Sequence, residues 1–153
     1  MGLKLDDVAR GIRPLDAGWR RRARQRLNDL AVPLGSLGRL LDIAEQLSAI
    51  SETLEPSVEN KVVVTMAGDH GVVAEGVSAC PQEVTLQMVY NFVAGGAGIN
   101  ALARAAGARV VVVDMGVAGD LSELVEQGKI ISRKVGFGTR NMAKGPAMTR
   151  EQA

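Results

Sequence analysis

Several things are scarce in this sequence, and each scarcity excludes something. Among 153 residues there is one cysteine, one histidine, one tryptophan, one tyrosine and two phenylalanines. A lone cysteine excludes an intramolecular disulfide and suits a reducing compartment. With aromatics at 3%, the stacking platforms of nucleic-acid binders have little to be built from. The net charge of +1 gives no general attraction to nucleic acid or to a membrane surface. No apolar run approaches the roughly 20 residues that span a bilayer, and the opening MGLKLDDVARGIRPLD has no apolar core of signal-peptide length. These absences point to a cytoplasmic, soluble protein with neither nucleic acid nor membrane as a partner.

What is present is a hydrophobic content of 46% and 18 glycines, the makings of a globular chain rich in tight turns. Its most informative stretch runs from Lys61 to Gln87. Val62, Val63, Val64 and Thr65 are β-branched, and the run is too short for a helix, so it reads as a buried strand. At Gly68 it turns into a polar loop holding Asp69, His70, Glu75 and Cys80. Pro81 suits the first position of a helix, because its missing N–H is no loss there. In α/β proteins such a strand–loop–helix junction is where ligands bind.

Upstream, Asp16 to Ala31 is a helix candidate with Trp19, Ala23, Leu27 and Leu30 on one stripe. Its arginines (Arg20, Arg21, Arg22, Arg24 and Arg26) mostly fall off that stripe. They read as a solvated face, since no nucleic-acid motif accompanies them. Ser36 is placed to cap a second helix striped by Leu37, Leu40, Leu41, Ala44 and Leu47. Ser51 to Asn60 is a polar connection in which Pro56 bars a continuous helix. The division expected is a helical N-terminal region over 1–55 and an α/β region over 56–153.

Downstream, Pro81 to Val93 reads as a helix with Val84, Met88 and Phe92 four apart, ended by Gly95-Gly96. Ile99 to Ala106 is a short helix with Gly107 at its end. Arg109 to Met115 is a second buried strand, Asp120 to Gln127 is weakly helical, and Lys129 to Val135 is a third, more exposed strand. Strands separated by helices imply a parallel sheet flanked by helices, a Rossmann-like α/β fold. The strand C-termini then share one edge, which places Asp69-His70, Asp114-Gly116 and Thr139-Asn141 around a single crevice. At the end of the sequence, Thr149 and Gln152 have the spacing of a capping box. With only Ala153 after it, this reads as the N-terminal portion of something longer.

Chemistry is not decided by these residues alone. Gly96-Ala97-Gly98-Ile99-Asn100-Ala101 has the G-x-G-x-x-A spacing of a dinucleotide fingerprint, with Asp114 as a possible ribose acid. A true fingerprint directly follows a strand, whereas this one follows a helix. Asp69, His70 and Glu75 lack a further partner at metal-site spacing, so no metal is expected. Cys80 and His70 are a conceivable nucleophile–base pair, with nothing in the sequence to orient them. The plainest role for Asp69 and His70 is to order the loop through hydrogen bonds to backbone.

The blocks Val64 to Val72, Glu75-Gly76-Val77-Ser78, Val84 to Val89, Asn91-Phe92 and Gly95 to Asn100 resemble the nicotinate-nucleotide–dimethylbenzimidazole phosphoribosyltransferase family. So do Pro33 to Leu40, Val113 to Val117, Gly138 to Met142 and Gly145 to Thr149. The resemblance runs in order from about Leu27 to the last residue. It implies transfer of phosphoribose from nicotinate mononucleotide to a benzimidazole nitrogen in the lower-ligand branch of cobalamin assembly, with no cofactor. It also implies a homodimer in which the partner's small domain helps close the site. The family's catalytic glutamate and main phosphate-binding loops belong to a later part, so no catalytic residue is assigned here.

What the resemblance does assign is one wall of the base pocket: Cys80, Pro81, Gln87 and Met88. Asp69, His70, Asp114, Thr139 and Asn141 belong to its site-shaping loops. Relatives often carry tyrosine or serine where this chain has Cys80, which leaves the preferred base open among benzimidazoles, purines and phenols. Two other classes stay in view, a non-catalytic binding or assembly fragment and, on the Gly96 to Ala101 spacing, a nucleotide-dependent oxidoreductase.

Overall fold

A computed structural model describes residues 4–153, and the chain divides into two compact units, Met1–Glu59 and Asn60–Ala153. The first is helical. Helix α1 (Leu5–Gly11), which no sequence expectation covered, opens with Asp6 and Asp7, where acids favour a helix N-terminus. It carries an Asp7–Arg10 pair at 3.0 Å. Helix α2 (Ala17–Asn28) is capped by Asp16, whose carboxylate accepts from the Gly18 N–H at 2.6 Å.

Helix α3 (Arg39–Ser51) begins later than expected. Ser36 is not its cap: that residue sits in a turn closed by its N–H to the Pro33 carbonyl. The helix starts after Gly38, whose φ of +51° is a conformation that favours glycine. Helices α2 and α3 pack together through the buried Ala23 and Ala49. Arg24 pairs with Glu45 on α3, and the Arg22 guanidinium lies 3.6 Å from the Trp19 ring centroid. Two of the five arginines thus have intramolecular partners.

The second unit runs β1 (Lys61–Gly68), a 3-10 turn (Gly71–Glu75), α4 (Glu83–Ala94), α5 (Gly98–Ala105), β2 (Ala108–Gly116), α6 (Ser122–Glu126) and β3 (Ile131–Ser132). The sheet order is β1-β2-β3 with both pairings parallel, as the alternation of strands and helices predicts. Two boundaries are corrected. The third strand spans two residues rather than Lys129 to Val135, because only Ile131 and Ser132 pair with β2. Helix α4 starts two residues after Pro81, which lies in the turn before it. Gly95, at φ +80°, ends α4, and the buried Asn100 ties α4 to α5 by donating to the Phe92 carbonyl at 3.0 Å. The G-x-G-x-x-A segment is therefore a helix-to-helix turn.

The register fixes the faces. Val63 pairs with Val110, Thr65 with Val112 and Ala67 with Asp114, and paired residues project to one side. That side carries the core of Ala67, Val89, Val112, Val117, Leu121, Leu124 and Ile130, with Leu86, Phe92 and Val93 packed against it. Val89 is fully buried and Leu121 is 1% exposed. Burial of side chains of this size stabilises by about 1.5–3 kcal/mol each. The opposite side carries Val62, Val64, Met66 and Met115, all exposed. No helix among the described residues is long and apolar enough to cross a membrane.

Candidate functional site

The site lies at the C-terminal ends of the parallel strands. Three chain segments meet there and are joined mainly through backbone. The Asp69 N–H donates to the Gly116 carbonyl at 3.0 Å. The Thr139 N–H donates to the Asp69 carbonyl at 2.9 Å, and the Gly71 N–H to the Thr139 carbonyl at 3.1 Å. The Asp69 carboxylate, 6% exposed, adds a fourth tie by accepting from the Ala118 N–H at 2.7 Å. Side chains at Gly71 and Gly138 would disturb this seam. A Cβ on Gly71 would stand 2.6 Å from the Thr139 oxygen, and Gly138 takes a φ of +87° against Asp69.

Asp114 does related work one strand over. Its Oδ1 accepts from the Gly116 and Val117 N–H groups at 3.0 and 2.9 Å, and its Oδ2 faces Lys134 Nζ at 3.1 Å. Lys134 also donates to the Gly119 carbonyl at 2.8 Å and lies 4.3 Å from the Phe137 ring centroid. Three protein donors and an exposure of 1% commit the Asp114 carboxylate to holding the end of its strand. Nearby, the Ser122 hydroxyl, followed by its N–H, holds the Asp120 carboxyl below its usual range.

Two hollows flank this seam and share Met66 to His70. One, of about 500 Å³, is lined by Cys80, Pro81, Gln82, Val84, Thr85, Met88 and Phe92. The other, of about 650 Å³, is lined by Met66, Met115, Val135, Thr139, Arg140 and Met148 among others. The structure brings Cys80, Pro81 and Met88 together with Asp69 and His70 in the first hollow. Gln87 is exposed and does not line it; Gln82 does. The reason is visible in the helix: Val84, Thr85, Met88 and Phe92 form one inward stripe, and Gln87 lies well around from it.

Thr139 lines the second hollow, whereas the expectation of one crevice fails for Asp114 and Asn141. Asp114 is buried beneath the rim, 1% exposed. Asn141 instead donates to Glu75 at 2.6 Å, and Lys144 pairs with the same carboxylate at 3.3 Å. Glu75 is thereby committed to a clasp between two loops. Among the described residues, no three His, Cys, Asp or Glu side chains are grouped to hold a metal ion. Sequence reading missed Gln82 and Arg140. The Val84–Met88–Phe92 spacing marked the helix, but nothing local marked Gln82 or Arg140 as lining residues.

Residues 12–153 match the family model described as Phosphoribosyltransferase. The chain belongs to that family. It is 59% identical, over its whole length, to the nicotinate-nucleotide–dimethylbenzimidazole phosphoribosyltransferase of Syntrophotalea carbinolica, of which it covers 43%. It is 54% identical over 97% of its length to the protein of the same name from Desulfotalea psychrophila, covering 42% of it. A crystal structure under this name from Thermus thermophilus superposes with a TM-score of 0.84 at 47% identity, over 90% of this chain and 41% of the other. The chain thus spans less than half the length of these relatives. A nucleotide-dependent oxidoreductase finds no support in this kinship.

Proposed function

We propose that this chain supplies one wall of a site that transfers phosphoribose from nicotinate mononucleotide to 5,6-dimethylbenzimidazole or a related base. In that reaction the glycosidic bond to the nicotinate nitrogen breaks and nicotinate leaves. A new bond forms from ribose C1′ to a benzimidazole nitrogen, and the acceptor's proton passes to a general base. One observation supports the reading above the others. In a chain whose named relatives carry this activity, the first hollow is apolar and lined by Cys80, Pro81, Met88 and Phe92 at the strand ends. A flat bicyclic base suits such a hollow, since ligand sites are mostly apolar with a few polar groups. Cys80 and Met88 offer polarizable sulfur to its ring, and Asp69, His70, Thr139 and the Glu75–Asn141 clasp shape the surround.

No side chain of this chain is assigned as the general base, a role worth about 10²–10⁴-fold. The chain alone is therefore expected to release no nicotinate from nicotinate mononucleotide and dimethylbenzimidazole. Turnover by the isolated chain would overturn that assignment. The pocket wall is tested in a fusion of this chain to the part of the Syntrophotalea carbinolica relative outside the match. There Cys80→Tyr should change the ranking of benzimidazoles, adenine and phenols as acceptors. An unchanged ranking sinks the wall. We further propose a small helical domain over 1–55, an α/β domain over 56–153, a homodimer and a cytoplasmic location. Exposed Leu34, Leu40 and Ile50 in the helical unit favour an interface there, and the lone cysteine favours a reducing compartment.

A further inference from the structure

The smaller hollow is lined chiefly by Val, Pro, Met and Phe side chains, so the polar groups along it decide what it can distinguish. Asp69 gives its carboxylate to the Ala118 N–H at 2.7 Å. The Ser78 hydroxyl donates to the Cys80 carbonyl at 2.9 Å and accepts from the Cys80 N–H at 3.2 Å. Both are spent on holding the loops.

Gln82 is placed differently. It stands at the N-cap of α4 with helical φ and ψ of −65° and −29°, and its side chain makes no cap hydrogen bond. N-caps favour Ser, Thr, Asp and Asn, whose short side chains reach the first N–H groups of the helix, and glutamine is a methylene too long for that set. The residue is half-buried and lines the hollow. Its carboxamide carries one acceptor oxygen and two N–H donors. Thr85 follows three residues on, on the same side of the helix, so the two form a polar strip in the wall that also holds Cys80 and Met88.

The reacting nitrogen of an acceptor base must face out of the hollow, since it has to meet C1′ of the donor. The wall therefore encloses the other ring, and a polar group on that ring is what a carboxamide there can recognise. We propose that Gln82 sets the preference of this hollow for bicyclic bases with a hydroxyl or amino group on the ring away from the reacting nitrogen, over bases with methyl groups there. This rests on the base-pocket reading above and adds to it a residue and the substituent that it selects. A hydroxyl donates to the amide oxygen or accepts from its N–H, whereas a methyl of similar size does neither. Because Gln82 is half-buried, the discrimination is that of one hydrogen bond, about two- to tenfold.

The test titrates this chain with 5-hydroxybenzimidazole and with 5-methylbenzimidazole, followed by proton–nitrogen correlation spectra. The hydroxy compound is expected to bind about two- to tenfold more tightly. The Gln82 carboxamide signal, assigned by its loss in Gln82→Met, should move with the hydroxy compound and stay with the methyl one. Gln82→Met should bring the two dissociation constants together, while Gln82→Glu, which keeps an acceptor for the hydroxyl, should restore the preference. No binding of either compound, equal constants in the unaltered chain, a Gln82 signal indifferent to both, or a preference undiminished in Gln82→Met would overturn the proposal. Transfer to the same two bases by the fusion described above bears on the proposed function instead. Selective binding without transfer leaves the role of Gln82 standing and removes the reaction.

Discussion

Replacing Lys134 with methionine removes the cation beside Asp114 while keeping an unbranched stem of similar reach. The Asp114 side chain is 2% exposed and that of Lys134 16%, so the pair is largely shielded from water. Removing one partner of a buried pair costs about 3–5 kcal/mol, because the other charge is left without compensation. Here the carboxylate keeps two backbone N–H donors on Oδ1, which places the loss at or just below the lower end, about 2–3 kcal/mol. For a unit of this size each kcal/mol moves the midpoint by about 4–8 °C, so a fall on the order of 10–20 °C is expected.

Trp19 belongs to the other unit, so its fluorescence is the wrong probe. Urea unfolding followed by far-UV circular dichroism, with native-state exchange of the β2 amides, reports on the sheet. The companion variant Asp114→Asn retains an acceptor for Gly116 and Val117 but turns a donor toward Lys134. Combining the two should recover about 1–2 kcal/mol relative to the sum of the singles. A cost under about 0.5 kcal/mol for Lys134→Met, or singles that simply add, refutes the idea that the ion pair holds the β2 end.

Gly71→Ala places a methyl against the Thr139 and Arg140 backbone, which cannot step aside as a side chain can; a loss of about 1–3 kcal/mol is expected by thermal unfolding. Leu121→Ala empties a site that is 1% exposed and should cost about 2–5 kcal/mol, read in the same assay. The Asp120 carboxyl is depressed from its ordinary value of 3.8 by Ser122. The unfolded chain therefore holds more protons in that range, and the contribution is present above pH 3.8 and lost as pH falls further. Asp120→Asn should accordingly flatten the acid limb of the stability curve slightly, as measured by urea midpoints across pH.

The two long parallel strands, the helices between them and the glycine that ends α4 were legible because each rests on local chemistry. Runs of valine, a four-residue apolar spacing and a Gly in the left-handed region signal themselves. The third strand was overextended because pairing depends on how far β2 reaches beside it, which no local pattern reports. Ser36 was misread for a similar reason: a good capping residue lost to a turn that Pro33, Gly35 and Gly38 close first. At the site, Cys80 and Met88 came from the family resemblance rather than from local chemistry, whereas Asp69 followed from its position at a strand end. Asp114 and Asn141 could not be separated from the crevice by sequence, since their partners Lys134 and Glu75 are 20 and 66 residues away. Their removal from the lining is a tertiary outcome.

The seam at the strand ends is sewn with main-chain groups: Asp69 to Gly116, Thr139 to Asp69, Gly71 to Thr139. Main-chain bonds are indifferent to the side chains that hang from the same residues. Positions 70, 80, 82, 88 and 140 can therefore accept substitutions without loosening the frame, while Gly71, Gly138 and Asp69 cannot. Replacements at the former group are expected to change the lining of the hollow while leaving the frame in place. Scaffold and preference are in this way separately heritable, and Cys80 stands at a place where drift carries little structural penalty.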